Sequence, residues 1–379
     1  MMDQTLLALD DPASDSIDRT GFDIGWDHAR HALTPPPQLM LSGTPVSQGW
    51  SAGRAVFGHR TLAATRAVRQ WLELRLRAWR EGAGFDARQL TPHELAQLQV
   101  SHCPVTRNPL GGAPDGHDAP VIVRLREATG YAAGNLLLMS RRAAAARSGL
   151  DAAQLLERVQ RLARDGLASC DGLDIAAWSR LATLASLAQE MPQVQAVRVP
   201  LHALPPQRVR MSNPAQALQV LLTRRLQAAG WSRRARAVAD LLPRPGLRHD
   251  FNLFVGALAA RLMAIPSTAE GRELHWALED AWSCARVQRR WAQFALQMTA
   301  AECEALAQQL AASELGGVRS MGREQASTQA SGQGQGRALP AQGRLLRSPR
   351  RQATRPMIDA QMPAVVGRAA PGAVPGAAR

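Results

Sequence analysis

From Arg141 onward this chain reads as one capped helix after another, and that rhythm constrains its fold more than any other feature. Asp151 and Asp174 stand where a helix needs a side-chain acceptor for its first free N–H groups. Asn213-Pro214 opens a further helix, and Gly230 closes it in the left-handed conformation that glycine adopts without strain. Ser232 begins the next, and Thr268 caps a helix bearing Trp276, Trp282 and Trp291. Thr299 and Glu302 have capping-box spacing. Pro192, Pro200, Pro205, Pro206, Pro243, Pro245 and Pro266 mark the breaks. No fixed period links these helices, which argues against a solenoid.

Upstream, a helix is expected from Thr61, because Leu62, Val68, Trp71, Leu72, Leu76 and Trp79 occur at helical spacing. Arg66, Arg69, Arg75, Arg77 and Arg80 fall largely elsewhere on the wheel and read as a solvated face. Thr91-Pro92-His93-Glu94 marks another helix start. Before residue 61 the pattern fails. Pro35, Pro36 and Pro37 block regular helix, and Gly43, Gly49, Gly53 and Gly58 punctuate the stretch after them. Residues 1–60 therefore read as an irregular arm, loose through about Thr20 and fixed to the body by Phe22, Trp26, Trp50 and Phe57. Only 4% of residues are aromatic against 46% hydrophobic, so the core must rest on Leu, Ala and Val, which suits helices.

The net charge of +14 comes from arginine alone; the chain has no lysine. A coding bias toward Arg, Ala, Gly and Pro accounts for that exclusivity, so the total says little about a polyanionic partner. Its distribution says more. Residues 316–379 carry ten Arg against Glu324 and Asp359, a net of +8 that leaves +6 for the preceding 315 residues. The glycine- and glutamine-rich run from Ser331 to Gly336 and the closing Pro/Gly/Ala stretch bury too little apolar surface to fold, so 316–379 reads as a disordered basic tail. Cys103, Cys170, Cys284 and Cys303 are far apart with no CxxC pair, and the acidic start from Met1 to Asp11 lacks a long apolar run. A reducing, cytoplasmic setting is expected. No stretch reaches the roughly 18 apolar residues of a membrane span, so no membrane partner is expected.

One segment departs from the helical pattern. Pro104, Pro109, Gly111 and Gly112 shape a loop; Val121–Val123 and Leu136–Met139 form two short apolar runs around a Gly130-Tyr131 turn; a helix comes next at Arg141–Arg147. This layout resembles a ββα-metal endonuclease module of the HNH (His-Me finger) type, over residues 102–147. Cys103 and Thr106 fit its Cys-x-x-Thr loop, Arg124 and Leu125 its Arg-Ile pair, and Gly130, Tyr131 and Asn135 its Gly-Tyr-x-x-x-Asn element. The resemblance implies a divalent cation polarising a scissile phosphate and a general base activating water. The sequence departs from it at the metal. Val123 stands at the position of the metal-side Asp, Arg126 replaces the second Asp, and the helix after β-type runs offers only Arg and Ala.

These observations set the expectations. The fold is mainly α: an irregular multi-helix domain with a small ββα-like insertion and a disordered C-terminal tail, divided as 1–60 arm, 61–100 helical segment, 101–147 HNH-like module, 148–315 helical domain and 316–379 tail. The leading functional expectation is a nucleic-acid-associated protein carrying an inactive HNH-like module, with Arg124, Arg126, Arg141 and Arg142 gripping phosphates. Cys103, Thr106, Gly130 and Tyr131 would be its structural motif. Two alternatives stand beside it: a non-catalytic helical interaction or scaffold protein with a protein partner, and an active metal-dependent endonuclease with substitute groups. The last would draw its catalytic residues from His117, Asp118 and Asn135, and its metal ligands from His102, Cys103, His117 and Asp118. A divalent cation is implied only there, and no small-molecule cofactor is expected.

Overall fold

A computed structural model of the chain describes residues 12–206, 209–227 and 230–312. The expected tail over 316–379 lies outside the described residues. The described part is mainly helical, with two small two-stranded sheets.

The amino-terminal stretch is not the irregular arm its glycines suggest. It forms two helices, α1 (Pro12–Arg30) and α2 (Pro45–Phe57), the second capped by the Thr44 hydroxyl. Gly21 and Gly25 sit inside α1, and Gly49 and Gly53 inside α2, because the helices cross there at backbone distance. A Cβ on Gly25 would meet the Val46 carbonyl oxygen at 2.0 Å, and one on Gly49 would meet the Phe22 carbonyl oxygen at 1.9 Å. Trp26 packs edge-on against Phe57 at 5.1 Å, and the Trp50 indole donates to the Leu33 carbonyl at 2.9 Å. The expected aromatic anchors are therefore in use, within a helical hairpin.

The next helix, α3 (Arg66–Arg80), starts five residues later than the Thr61 signal suggests, with Thr65 as its cap. Its arginines are not all solvated. Arg75 is buried, stacked on Trp71 and ion-paired with Asp27 of α1. The short α4 (Pro92–Gln97) begins at the Thr91 cap as expected.

An antiparallel hairpin comes next, β1 (Pro120–Arg124) with β2 (Leu136–Ser140), in a register that runs from Pro120 opposite Ser140 to Arg124 opposite Leu136. The Ser140 hydroxyl caps α5 (Arg141–Arg147). Every residue of β2 is buried, which explains its unbroken apolar run: a strand covered on both faces does not alternate. Leu136 and Leu138 point to Leu74, Leu90 and Leu95 of the α3–α4 layer. Leu137 and Met139 point the other way, into a cluster with Cys103, Ala143, Leu155, Trp178 and Leu181. The hairpin is thus the middle layer between two sets of helices.

The second set is α6 (Ala152–Arg164) and α7 (Ile175–Ala188), joined by the tight hairpin β3 (Ser169–Cys170) and β4 (Leu173–Asp174). Asp151 and Asp174 cap the two helices through side-chain acceptors, Asp151 in a full capping box with Gln154. A third cluster unites α8 (Gln193–Arg198), α9 (Pro214–Gln227), α10 (Trp231–Leu241), α11 (Pro245–Leu262), α12 (Gly271–Ala281), α13 (Ala285–Ala295) and a closing helix over 300–312. The tryptophan-bearing helix expected from Thr268 is two helices. The chain turns at Ser283-Cys284, and α12 begins after Glu270, whose side chain does not cap it. Trp282 and Trp291 meet edge-on at 5.7 Å across that turn, beside Phe254. Among the described residues no helix is long and apolar enough to cross a membrane.

Candidate functional site

The residues that carry the nuclease resemblance are all present on the ββα unit, and each is engaged internally. Cys103 is fully buried, and its sulfur accepts the Thr106 N–H at 3.5 Å and the Ser140 N–H at 3.3 Å. The loop closes through Cys103 N–H to the Asn108 carbonyl at 2.9 Å, and the Thr106 hydroxyl oxygen accepts the Asn108 N–H at 3.3 Å. Arg107 takes a positive φ of 63° in this turn. Its guanidinium reaches Glu279 at 2.9 Å and Asp280 at 2.7 Å on α12, and lies over the Trp276 ring. Burial opposes its charge, but the hydrogen bonds to Asp280 and Glu279 outweigh that and raise its pKa. The loop is thereby fastened to the third cluster. Arg180 adds a second fastening, its Nε donating to the Val105 carbonyl at 2.6 Å.

Asn135 is buried and makes three hydrogen bonds across the Gly-Tyr turn. Its Oδ1 accepts the Arg126 N–H at 2.8 Å, and its Nδ2 donates to the carbonyls of Arg126 at 2.8 Å and Gly130 at 2.7 Å. Gly130 holds φ of 69° with the Gly84 carbonyl oxygen 2.5 Å from where a Cβ would stand, so no larger residue fits. The Tyr131 hydroxyl donates to Glu81 at 2.9 Å and accepts from Arg77 Nε at 3.0 Å. Burial raises its pKa, while the Arg77 contact works against the rise.

Arg124 belongs to the same network rather than to the surface. It pairs with Glu127 at 2.5 Å and Glu81 at 3.2 Å and lies 4.7 Å over the Tyr131 ring. Beneath it, buried Arg147 of α5 donates to the carbonyls of Arg124 and Leu125, the latter at 2.7 Å, and faces Glu127 at 3.5 Å. Desolvation lowers its pKa, with Glu127 opposing. Arg147 was not among the expected site residues. Its signal is positional: it lies four residues after Ala143, on the helix face that packs against the hairpin.

The divalent cation that the resemblance implies does not fit these residues. Val123 packs against the apolar cluster formed by Leu137, Met139 and Ala143, where a hard cation would need oxygen donors. The substitute groups do not converge. His117 and Asp118 precede β1, with the His117 carbonyl accepting the Arg142 N–H at 2.9 Å, whereas the Asn135 carbonyl accepts the Leu125 N–H at 2.8 Å at the other end of the hairpin. Five paired residues lie between, roughly 17 Å at strand rise. His102 sits apart again, edge-on to Trp276 and 3.1 Å from Arg272. Among the described residues no three His, Cys, Asp or Glu side chains form a metal-binding group.

The four expected phosphate-gripping arginines also divide. Arg124 is absorbed in the network above. Arg126 faces Glu190 at 3.8 Å in a polar pocket shared with Arg210 and Asp86. Arg141 and Arg142 stand at the opposite end of the hairpin, beside Asp115 and Asp118 at 4.0 Å each. Arg141 is exposed and donates to the Pro114 carbonyl at 2.7 Å, and Arg142 is half-buried beside a separate cleft. Comparison of the chain with family models, with curated proteins and with solved structures finds no match.

Proposed function

We propose that this chain is a non-catalytic, nucleic-acid-associated protein in which a nuclease-like ββα unit serves as the joint between helical layers. One observation carries this reading. The motif residues Cys103, Tyr131, Asn135 and Arg124 are consumed by internal bonds, while at the other end of the unit exposed Arg141 spends one donor on the Pro114 carbonyl at 2.7 Å and half-buried Arg142 makes no side-chain hydrogen bond among the described residues. A hydrolytic centre would need a metal-side carboxylate where Val123 packs among apolar side chains. Two adjacent arginines supply what phosphate contact needs: charge and planar donor sets, without base readout. The four free cysteines agree with a cytoplasmic setting.

A helical interaction protein is the second reading, and the separation of Arg126 from the Arg141–Arg142 pair favours it. A mobility-shift titration against salt distinguishes the two. The nucleic-acid reading expects binding at low salt, and Arg141→Ala with Arg142→Ala flattens the slope of log K against log[salt] by about two. No binding at low salt, or an unchanged slope, removes the reading and leaves the interaction protein.

A further inference from the structure

Three nitrogen-bearing side chains from three separate elements line one cleft of about 800 Å³, and none of them belongs to the network that holds the hairpin. His117 comes from the loop before β1, Arg142 from α5 and Arg158 from α6; Asp171 and Gly172, at the β3–β4 turn, close the far side. Arg158 is held in place. It donates to Asp171 at 2.9 Å and to the Cys170 sulfur at 3.7 Å, and its guanidinium lies 5.1 Å over the Trp178 ring. A guanidinium fixed in this way loses little freedom when it meets an oxyanion. Arg142 is the opposite case. Its side chain is 32% exposed, its nearest carboxylate oxygen is Asp118 Oδ1 at 4.0 Å, and it makes no side-chain hydrogen bond among the described residues. The Asp118 Oδ1 atom is likewise buried without a hydrogen-bond partner. A largely covered guanidinium with its donors unspent is matched by an oxyanion that accepts two N–H groups in one plane.

The remaining wall is mostly apolar, Ala145, Ala146 and Leu150, with Ser148 its one polar residue. Such a wall leaves water poorly bound and suits a sugar or base. We infer that this cleft receives a terminal phosphomonoester of a nucleotide strand, with Arg142 and Arg158 donating to its oxygens, His117 at the rim, and the attached nucleoside against Ala145 and Leu150. A terminal phosphate carries about 1.5–2 negative charges at neutral pH, against one on each internal diester. Each guanidinium has one carboxylate beside it, Asp118 for Arg142 at 4.0 Å and Asp171 for Arg158 at 2.9 Å, and the more highly charged terminal group competes better than a diester for their remaining N–H donors. The site rests on the nucleic-acid reading and adds to it a defined pocket and a preferred chemical end. A free nucleoside monophosphate shares the same chemistry.

The test is fluorescence anisotropy of the full chain with a short single-stranded oligonucleotide, with and without a 5′-phosphate, beside calorimetric titrations of a nucleoside monophosphate and of inorganic phosphate. The phosphorylated strand binds about tenfold tighter, the scale of one charge-assisted hydrogen-bonded contact. Arg142→Gln brings that ratio to one. Ala145→Glu does the same at an exposed position of the same helix, where its carboxylate repels the ligand and, three residues on, competes for Arg142. A ratio of one in the parent protein, or a preference that survives both variants, overturns the pocket while the nucleic-acid reading stands. If neither strand binds the parent at low salt, that reading falls, and the titrations decide the pocket alone. Heat from the monophosphate that Arg142→Gln abolishes supports it; no heat with monophosphate or inorganic phosphate overturns it.

Discussion

Asn135 separates a structural joint from a working nuclease. In a catalytic module its loss would cost activity and little stability; here Asn135→Ala removes three hydrogen bonds from a residue only 5% exposed. Each such bond contributes about 1 kcal/mol net, and the backbone groups of Arg126 and Gly130 left without partners add further cost, so the loss is about 3–5 kcal/mol. Unfolding entropy near 2.1 cal/mol/K per residue, over roughly 300 residues melting together, converts this to a fall in Tm of about 5–8 °C. Asn135→Asp does no better, because it turns a carboxylate onto the carbonyls of Arg126 and Gly130. Thermal unfolding monitored by circular dichroism reads both. A variant melting within about 1 °C of the parent would refute the structural assignment of Asn135 and restore it as a candidate catalytic group.

Three other perturbations probe the joints around the hairpin. Gly49→Ala forces a Cβ to within 1.9 Å of the Phe22 carbonyl oxygen and is expected to cost about 3 kcal/mol or more in denaturant unfolding, whereas Gly256→Ala, in open space inside α11, stabilises by about 0.5–1 kcal/mol. Arg107→Ala leaves the Glu279 side chain, 3% exposed, without its arginine and costs about 3–5 kcal/mol; equal stability of variant and parent would show that the α12 contact contributes nothing. His28 and His202 both have pKa values lowered below 6.5, chiefly by burial, so the unfolded chain binds more protons in mild acid. Their contribution is fully present above about pH 6.5 and is lost as the pH falls through their folded values; Tm drops between pH 7.5 and 5.5, and His28→Leu takes part of that slope away.

The range of each interaction decides whether the sequence discloses it. Caps act within four residues, so Thr91, Asp151 and Asp174 announced their helices, and Thr299 with Glu302 closed the expected box, each N–H bonding the other's side chain at 2.8 and 3.2 Å. The two apolar runs and the turn between them were likewise local, and they paired as a hairpin. Gly49 and Gly53 of α2 misled because a glycine four residues from another reads as a breaker until a partner helix is known to cross there. Long-range pairing left no mark at all. Nothing near Arg107 in sequence points to Glu279, and nothing near Arg75 points to Asp27. For the same reason the expected grip of Arg124, Arg126, Arg141 and Arg142 joined groups that are close in sequence but lie at two ends of a hairpin.

Contact with nucleic acid without cleavage is read most directly from one gel. The full chain is incubated with supercoiled plasmid in Mg²⁺ or Mn²⁺ at low salt and run beside the Asp118→Ala variant. A non-catalytic binder gives a retarded band whose DNA, released by deproteinisation, is still supercoiled for both proteins. Nicked or linear product that disappears in Asp118→Ala would contradict this role, as would unretarded plasmid at the lowest salt.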